Sequence, residues 1–430
     1  MKKIAFSVGL VAAGAASLQI ATAQGMNSMQ AFKDWSLSGT LRGFYDDNYT
    51  TAPDGPDKRG SGGFQFSPAF SLNVPLSQTQ FGLQYIYGLY YYQDREDHGG
   101  RPIDQTHQAN LWVNHSFTQA WQASAQDSFV YAQEPDLAKD SGFALRTSGS
   151  YLRNNGSVKV DTQWTDLLGS EIGYQNTLYY YEAHPKGAVS ATPDYDGLLS
   201  RMEHLAWLQA SWQALPDVKA LIGYQYGQVN YTADHLLAPA YKFRSDSRDS
   251  RSHYGYLGVE YNPWDNLTVA LKGGIQYVDF YNAPAGQSDS TVSPYVDLSG
   301  TYTYLPGSYV QIGFTQERNA SAVAGSTLGG GEVLDEESST VYGSVNHQFT
   351  TQLVGSLIGR VQNSDMHGGA FDGQTETWYS AGINLSYSFT QHLSAEIGYN
   401  FDKLDSSAAL TAAGQSYTRN RAYVGITAVY

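Results

Sequence analysis

Two acidic stretches hold the residue types that could do chemistry. Asp94-Arg95-Glu96-Asp97-His98-Gly99-Gly100 gathers three carboxylates on a glycine-ended segment, and carboxylate oxygens suit a hard divalent cation. Gly329, Gly330 and Gly331 lead into Glu332, with Asp335, Glu336 and Glu337 just behind. That segment is pliant and strongly acidic, so it could fold inward and narrow a passage. The plainer reading of both is a solvated loop. No catalytic signature accompanies them: there is no G-x-S-x-G elbow, no H-E-x-x-H pair, no Walker loop and no G-x-G-x-x-G. The ten His are scattered and cysteine is absent, so no disulfide framework exists. A non-enzyme without cofactor or metal centre is the expectation.

A third set of charges is spread along the chain. Arg42, Lys159, Lys219, Lys272, Arg360 and Arg421 are matched by Asp161, Glu171, Glu260, Asp297, Glu317 and Glu396. Each sits in the polar phase of an alternating segment. Phe81, Leu83, Tyr85, Tyr87 and Leu89 alternate with Gln80, Gly82, Gln84 and Gly88. Ala381, Ile383, Leu385, Tyr387 and Phe389 alternate with Gly382, Asn384, Ser386 and Ser388. Successive side chains of a strand point to opposite faces, so such segments have one greasy face and one wet face. A soluble sandwich alternates too, with its greasy face inward.

The punctuation decides between them. Short turns recur roughly every 40 to 50 residues, at the scale of one hairpin with a long loop. They include Pro75-Leu76-Ser77-Gln78, Phe117-Thr118-Gln119-Ala120, Leu305-Pro306-Gly307-Ser308 and Phe389-Thr390-Gln391-His392. Between them lie longer polar stretches at 51–61, 94–104, 134–142, 183–197, 233–249, 282–290, 319–338, 364–374 and 403–416. Eight short turns and nine long loops predict about 18 strands, or 16 if one hairpin is wrongly split. Aromatic residues gather at strand ends: Tyr90 to Tyr92, Tyr179 to Tyr181 and Tyr277 on the loop side, Trp121, Trp164, Trp212 and Trp264 on the turn side. Amphipathic rings settle at headgroup level, so two bands mark a lipid-embedded wall.

Both chain ends agree. Residues 1–23 read as a signal peptide, with Lys2 and Lys3, an apolar middle and Ala21-Thr22-Ala23. Residues 24–430 are then one domain. No apolar run beyond residue 23 is long enough for a spanning helix. The mean hydropathy of −0.39 fits a wall in which only alternate residues meet lipid. A formal charge of −15 argues against a nucleic-acid partner. The last strand carries Ala422, Val424, Ile426, Ala428 and Tyr430 on one phase. In lipid a sheet cannot leave an edge unpaired, so the strand near Trp35 should pair with this one.

Signal peptide, hairpin meander and terminal aromatic strand together resemble the Gram-negative outer-membrane β-barrel porins. The opening Phe44-Tyr45-Asp46-Asp47-Asn48-Tyr49 looks like the first strand of the "putative β-barrel porin 2" group. The resemblance implies an all-β, closed, antiparallel up-and-down transmembrane barrel in the bacterial outer membrane. It implies passive diffusion of small hydrophilic solutes or ions, with outer-membrane lipid and lipopolysaccharide around the wall. It also implies that barrel assembly machinery reads the strand ending in Tyr430. Some members of the group are associated with exopolysaccharide export, which keeps an export or ligand-binding barrel as the alternative. The six cations and six carboxylates of the alternating segments would line the lumen. Tyr90, Tyr92, Tyr179, Tyr181 and Tyr295 share that phase, and a row of free rings there would favour the alternative.

Overall fold

A computed structural model describes residues 34–98, 100–132, 150–182, 195–233, 244–321, 323, 332–412 and 416–430. The signal-peptide segment 1–23 and Gly329, Gly330 and Gly331 lie outside the described residues. The first six strands are β1 (Trp35–Asp46), β2 (Ser61–Pro75), β3 (Thr79–Tyr92), β4 (Ile103–Ser116), β5 (Trp121–Ala132) and β6 (Tyr151–Gln163). The next six are β7 (Leu168–Tyr181), β8 (Arg201–Leu215), β9 (Val218–Tyr231), β10 (Ser250–Trp264), β11 (Leu267–Asp279) and β12 (Ser290–Leu305). The last six are β13 (Ser308–Asn319), β14 (Asp335–Gln348), β15 (Leu353–His367), β16 (Thr375–Ser388), β17 (Leu393–Ser406) and β18 (Tyr417–Val429). Each pairs antiparallel with its sequence neighbours in one 18-stranded sheet. The count is 18 rather than 16, because every expected turn is a real one.

The sheet closes on itself. β1 pairs with β18 from Ser38↔Val429 to Asp46↔Arg421. Leu37 N donates to Tyr430 O at 3.2 Å and Tyr430 N returns to Leu37 O at 2.8 Å. The ladder therefore runs to the last residue, and the Trp35 and Tyr430 rings sit 5.7 Å apart at its foot. Closure follows from the solvent: each unpaired backbone group in hydrocarbon would cost several kcal/mol.

Eight connections are only two to four residues long and share one end of the barrel. Four of them are an aromatic followed by Thr. Thr118, Thr165, Thr350 and Thr390 each accept a bond at Oγ1 from the N–H three residues on, at 2.9 to 3.1 Å. A hydroxyl that bonds its own turn replaces the ladder where the chain reverses. Pro306-Gly307 uses a different device, with Gly307 at φ 75°.

Greasy side chains lie outside. Ile222, Leu257, Ile275, Ile312, Ile383, Ile397 and Val424 are exposed on the outer surface. Trp121, Trp164, Trp212, Trp264, Phe349 and Phe389 form an exposed band at the short-turn end, and Tyr45, Tyr180 and Tyr277 a band toward the long loops, with Tyr85, Tyr174 and Tyr224 exposed at mid-strand. The upper band is thinner than the run of aromatics suggests. Tyr92, Tyr179, Tyr231 and Phe280 are buried instead, because alternation sends neighbouring rings to opposite faces. Two short helices, Tyr195–Leu199 and Ala408–Ala412, lie in the long loops, where turn-rich sequence carries no helical period to betray them.

This facing assignment has a direct test. Arg in place of Ile383 or Ile397 would put a charge in the lipid midplane, at a cost of about 2 to 4 kcal/mol. Folding yield, read as the heat-modifiable band on gels, should fall for Ile383→Arg and Ile397→Arg and hold for Ser386→Arg.

Candidate functional site: the inner wall and its mouth

The spread-out charges come together in cross-strand pairs. Arg42 Nε lies 2.6 Å from Glu396 Oε1 and its guanidinium covers the Tyr423 ring at 4.9 Å. Lys159 Nζ lies 3.0 Å from Glu171 and 3.2 Å from Asp161. The Trp207 indole N–H donates to the other Glu171 oxygen at 2.6 Å. Lys219 pairs with Glu260, which is directly opposite in register. Lys272 and Asp297 are also directly opposite. Arg360 is buried over the Trp378 ring and donates to Gln362 at 2.5 Å. Glu317 lines an internal cavity of about 570 Å³ with Asp127, Arg153, Glu203 and Arg360. A smaller space of about 110 Å³ is lined by Arg42, Glu396, Gln65, Gln84 and Tyr90.

Arg421 belongs to a tighter cluster. Asp46 is fully buried and accepts from Arg419 Nε at 3.0 Å and from Arg421 Nη2 at 2.8 Å. Arg421 Nη2 also reaches the Tyr92 hydroxyl at 2.9 Å. The cluster bolts β1 to β18 from the inside, at the loop end of the seam. Asp46 and Arg419 are not in the twelve-residue set. The signal was there: Arg419 and Arg421 share the inner phase of the last strand, and the first strand ends on an Asp in the same phase.

A further device is written as a repeat. Ile172-Gly173-Tyr174, Ile222-Gly223-Tyr224, Ile312-Gly313-Phe314 and Ile397-Gly398-Tyr399 each place Gly on the inner face. Opposite each Gly, on the next strand, stands an inward ring: Trp207, Tyr256, Tyr342 and Tyr423. Gly82 and Trp112 form a fifth such pair. A methyl group at any of the five glycines would overlap the facing ring. Each ring therefore lies flat along the wall instead of crossing the lumen.

The described parts of the long loops pack against one another at the strand ends. Arg248, fully buried, donates to Leu198 O at 3.1 Å, to the Tyr231 hydroxyl at 2.7 Å and to Ser321 O. It thus ties three loops to one guanidinium. Ser247 Oγ donates to Glu332, whose backbone exchanges bonds with the Gln287 amide at 2.8 and 3.1 Å. Val323, Val333, Met366 and Leu410 pack together beneath, with Phe371 against them. Of the acidic segment, Glu332, Asp335 and Glu336 are buried, so its described part is no free loop. Asp335 grips Arg318 at 2.6 Å, and Glu337 accepts from Gln316 at 2.8 Å. Near residue 319 the β12–β13 ladder has already ended, at Val296↔Gln316. Gln276 fills the gap: its side-chain amide accepts from Arg318 N at 2.8 Å and donates to Arg318 O at 3.4 Å. The other acidic stretch is also anchored. Arg95 is buried, 2.7 Å from Asp104 and stacked on Tyr92 at 3.7 Å. Among the described residues no group of three or more His, Asp or Glu is placed to hold a metal ion.

Burial pushes the Glu332 carboxyl up to about 7, against the opposing pull of Arg248 and the Ser247 hydroxyl and with the help of Asp246. The packed loop thus favours the protonated acid. Its contribution is complete at low pH and is lost as pH rises through about 7.

A family described as "Putative beta-barrel porin 2" matches residues 40–430. Similar solved structures include OccAB4 of Acinetobacter baumannii, at 12% identity over 93% of this chain and 99% of that one, TM-score 0.42. The outer membrane protein opdK of Pseudomonas aeruginosa shows 14% identity over 92% of this chain and 99% of that one, TM-score 0.42. The siderophore receptor PirA of Pseudomonas aeruginosa shows 11% over 92% and 80%, TM-score 0.38. No curated relative matches the sequence.

Removing the Asp46 carboxylate leaves two arginines facing each other in a buried seam, a loss of about 3 to 5 kcal/mol. Urea unfolding in detergent should show Asp46→Ala destabilised by that amount. For Glu332, hydrogen exchange at its own amide, corrected for intrinsic rate, should lose about tenfold protection between pH 6 and pH 8. Glu332→Gln should remove that dependence.

Proposed function

From the membership of this chain in the "Putative beta-barrel porin 2" family, matched over residues 40–430, we propose how its lumen works. The protein is an outer-membrane β-barrel of porin type, and small hydrophilic solutes cross it. Eighteen strands are enough to enclose an aqueous channel. The proposal is that crossing is passive and that the paired charges of the inner wall line the path. Arg42–Glu396, Lys159–Glu171 and Lys219–Glu260 carry the reading, since each cation has its own carboxylate on another strand: the adjacent one for Lys159 and Lys219, the next but one, across β18, for Arg42. A wall made of such pairs presents alternating local fields with little net sign, so it selects weakly among ions. Residues 332–334, anchored by the bond from Ser247 to Glu332 just ahead of β14, narrow the outer mouth.

The alternative, a lumen serving polysaccharide export, needs aromatic faces standing free to stack on sugars. Tyr92, Tyr179 and Tyr295 are buried, and the inward rings at 207, 256, 342 and 423 lie against glycines. That arrangement favours the plain pore. No step of the reading calls for a reaction or a cofactor. Assembly through recognition of the strand ending in Tyr430 belongs to the same proposal. It is supported by the backbone pairing of Tyr430 with Leu37, which makes that strand the one that completes the wall.

In planar bilayers the purified protein should give stepwise conductance with a reversal potential near zero in a salt gradient. Glu260→Gln and Glu396→Gln each free a lumenal cation and should move selectivity toward anions. Arg248→Ala should raise unitary conductance. Silent bilayers at high protein load would refute the pore.

A further inference from the structure

The outer wall between β6 and β10 carries a notch that the channel does not need. Residues directly opposite one another form rows across the strands. One row reads Val158, Tyr174, Ala206 and Tyr226. Ala206 is its one small member, so the two tyrosine rings stand on either side of a gap. Ile172 and Leu208, in the row below, floor it. The resulting apolar groove measures about 470 Å³.

Directly above lies a polar shelf, the row Asn176, His204, Gln228 and Arg251. The Tyr174 hydroxyl bonds His204 Nδ1 at 2.6 Å, and Asn176 reaches the same nitrogen at 3.2 Å. Gln228 bonds Asn230 at 2.9 Å, and Asn230 bonds the Tyr281 hydroxyl at 2.7 Å. Arg251 is exposed and lies over the Tyr281 ring at 4.5 Å. It makes no ion pair among the described residues, although Asp279 is opposite it in register. Depth gives the shelf its meaning. Arg251 is ten residues up-strand from Tyr261, an exposed ring near the short-turn end of β10. At about 3.4 Å per residue and a tilt near 40°, that is about 25 Å, the height of the apolar band of such barrels. The groove thus sits in the outer acyl layer and the shelf at its headgroups.

We propose that this face is a specific binding site for a phosphorylated, acylated glycolipid of the outer leaflet. One acyl chain fills the notch over Ala206 between Tyr174 and Tyr226. A headgroup phosphate is held by Arg251, whose guanidinium among the described residues meets only the Tyr281 ring. The amides of Asn176 and Gln228 and the free nitrogen of His204 meet sugar hydroxyls and acyl carbonyls. An apolar slot that ends at a cation and a row of amides matches that ligand end for end; the surface of a second barrel would offer no phosphate.

The molecule supplies its own control. At the closing seam Tyr45, Ala422 and Tyr399 repeat the notch, with Ile397 and Val424 as floor and a groove of about 760 Å³. Its shelf differs. Asn420 is bonded to Tyr399 and Asp47, and Lys58 is already paired with Asp47 and Asp54. The seam has the slot and lacks the spare cation, so it binds the same lipid poorly.

The experiment is native mass spectrometry of protein refolded in detergent from inclusion bodies, so that it carries no native lipid. Diphosphoryl hexa-acyl lipid A is the probe. The wild type should take up one molecule. Ala206→Trp and Arg251→Glu should each weaken uptake at least tenfold, while Ala422→Trp should leave it within twofold. Arg251→Glu changes only a surface side chain, and heat-modifiability checks that Ala206→Trp folds. The proposal is overturned by no adduct, by an adduct indifferent to both β8–β10 changes, by equal loss in Ala422→Trp, or by a protein dimer forming in place of the lipid complex.

Discussion

An amide in hydrocarbon has no water to turn to, and this is the constraint on which everything else in the molecule depends. It forbids an edge. A chain that alternates greasy and polar residues can satisfy it only by bringing its first strand against its last. The Leu37–Tyr430 bonds and the nine-residue β1–β18 register are that solution. Once the sheet is closed, inside and outside become different solvents. The charges then have one inexpensive place to be, and the aromatic bands mark where the membrane stops.

Closure alone would leave an inner wall with no packed core to stiffen it. Three devices take that part. Glycine under ring, repeated at five hairpins, lets large side chains cover the backbone without crossing the lumen. Cross-strand ion pairs tie neighbouring strands, and across β18 the next but one, at several depths. The Asp46–Arg419–Arg421 cluster closes the seam, the one place where the paired strands are not joined by a turn or loop. At the mouth the loops have a core of their own, around Val333, Met366 and Leu410, with Arg248 as the tie between them.

Much of the architecture was legible because its period is short. Alternation at two residues and turns such as Phe389-Thr390-Gln391-His392 are local signals, and they lead to 18 strands and to the inward phase of residues such as Lys219 and Glu260. What was not legible depends on distance along the chain. Nothing near Arg248 announces Leu198 or Ser321, which lie 50 and 73 residues away. Nothing near Glu332 announces Ser247, 85 residues away. Tyrosines at 90 to 92 cluster at one strand end, and the same alternation that puts Tyr90 and Tyr92 on the lumenal phase leaves only Tyr91 for the lipid side. The Ile-Gly-Tyr repeat was readable, but a tripeptide gains meaning only beside the ring that faces it on the next strand.

Since the natural chain has no cysteine, closure can be read with an engineered pair. Thr40 and Thr427 face each other across the seam on the inner wall, their hydroxyls 2.9 Å apart. In outer membranes, Thr40→Cys combined with Thr427→Cys should form a disulfide under mild oxidation, while Thr40→Cys with Ala428→Cys, whose side chain faces lipid, should not. A parted seam would give no cross-link in either protein, and a shifted register would favour the second; either result would contradict the closed, two-solvent wall.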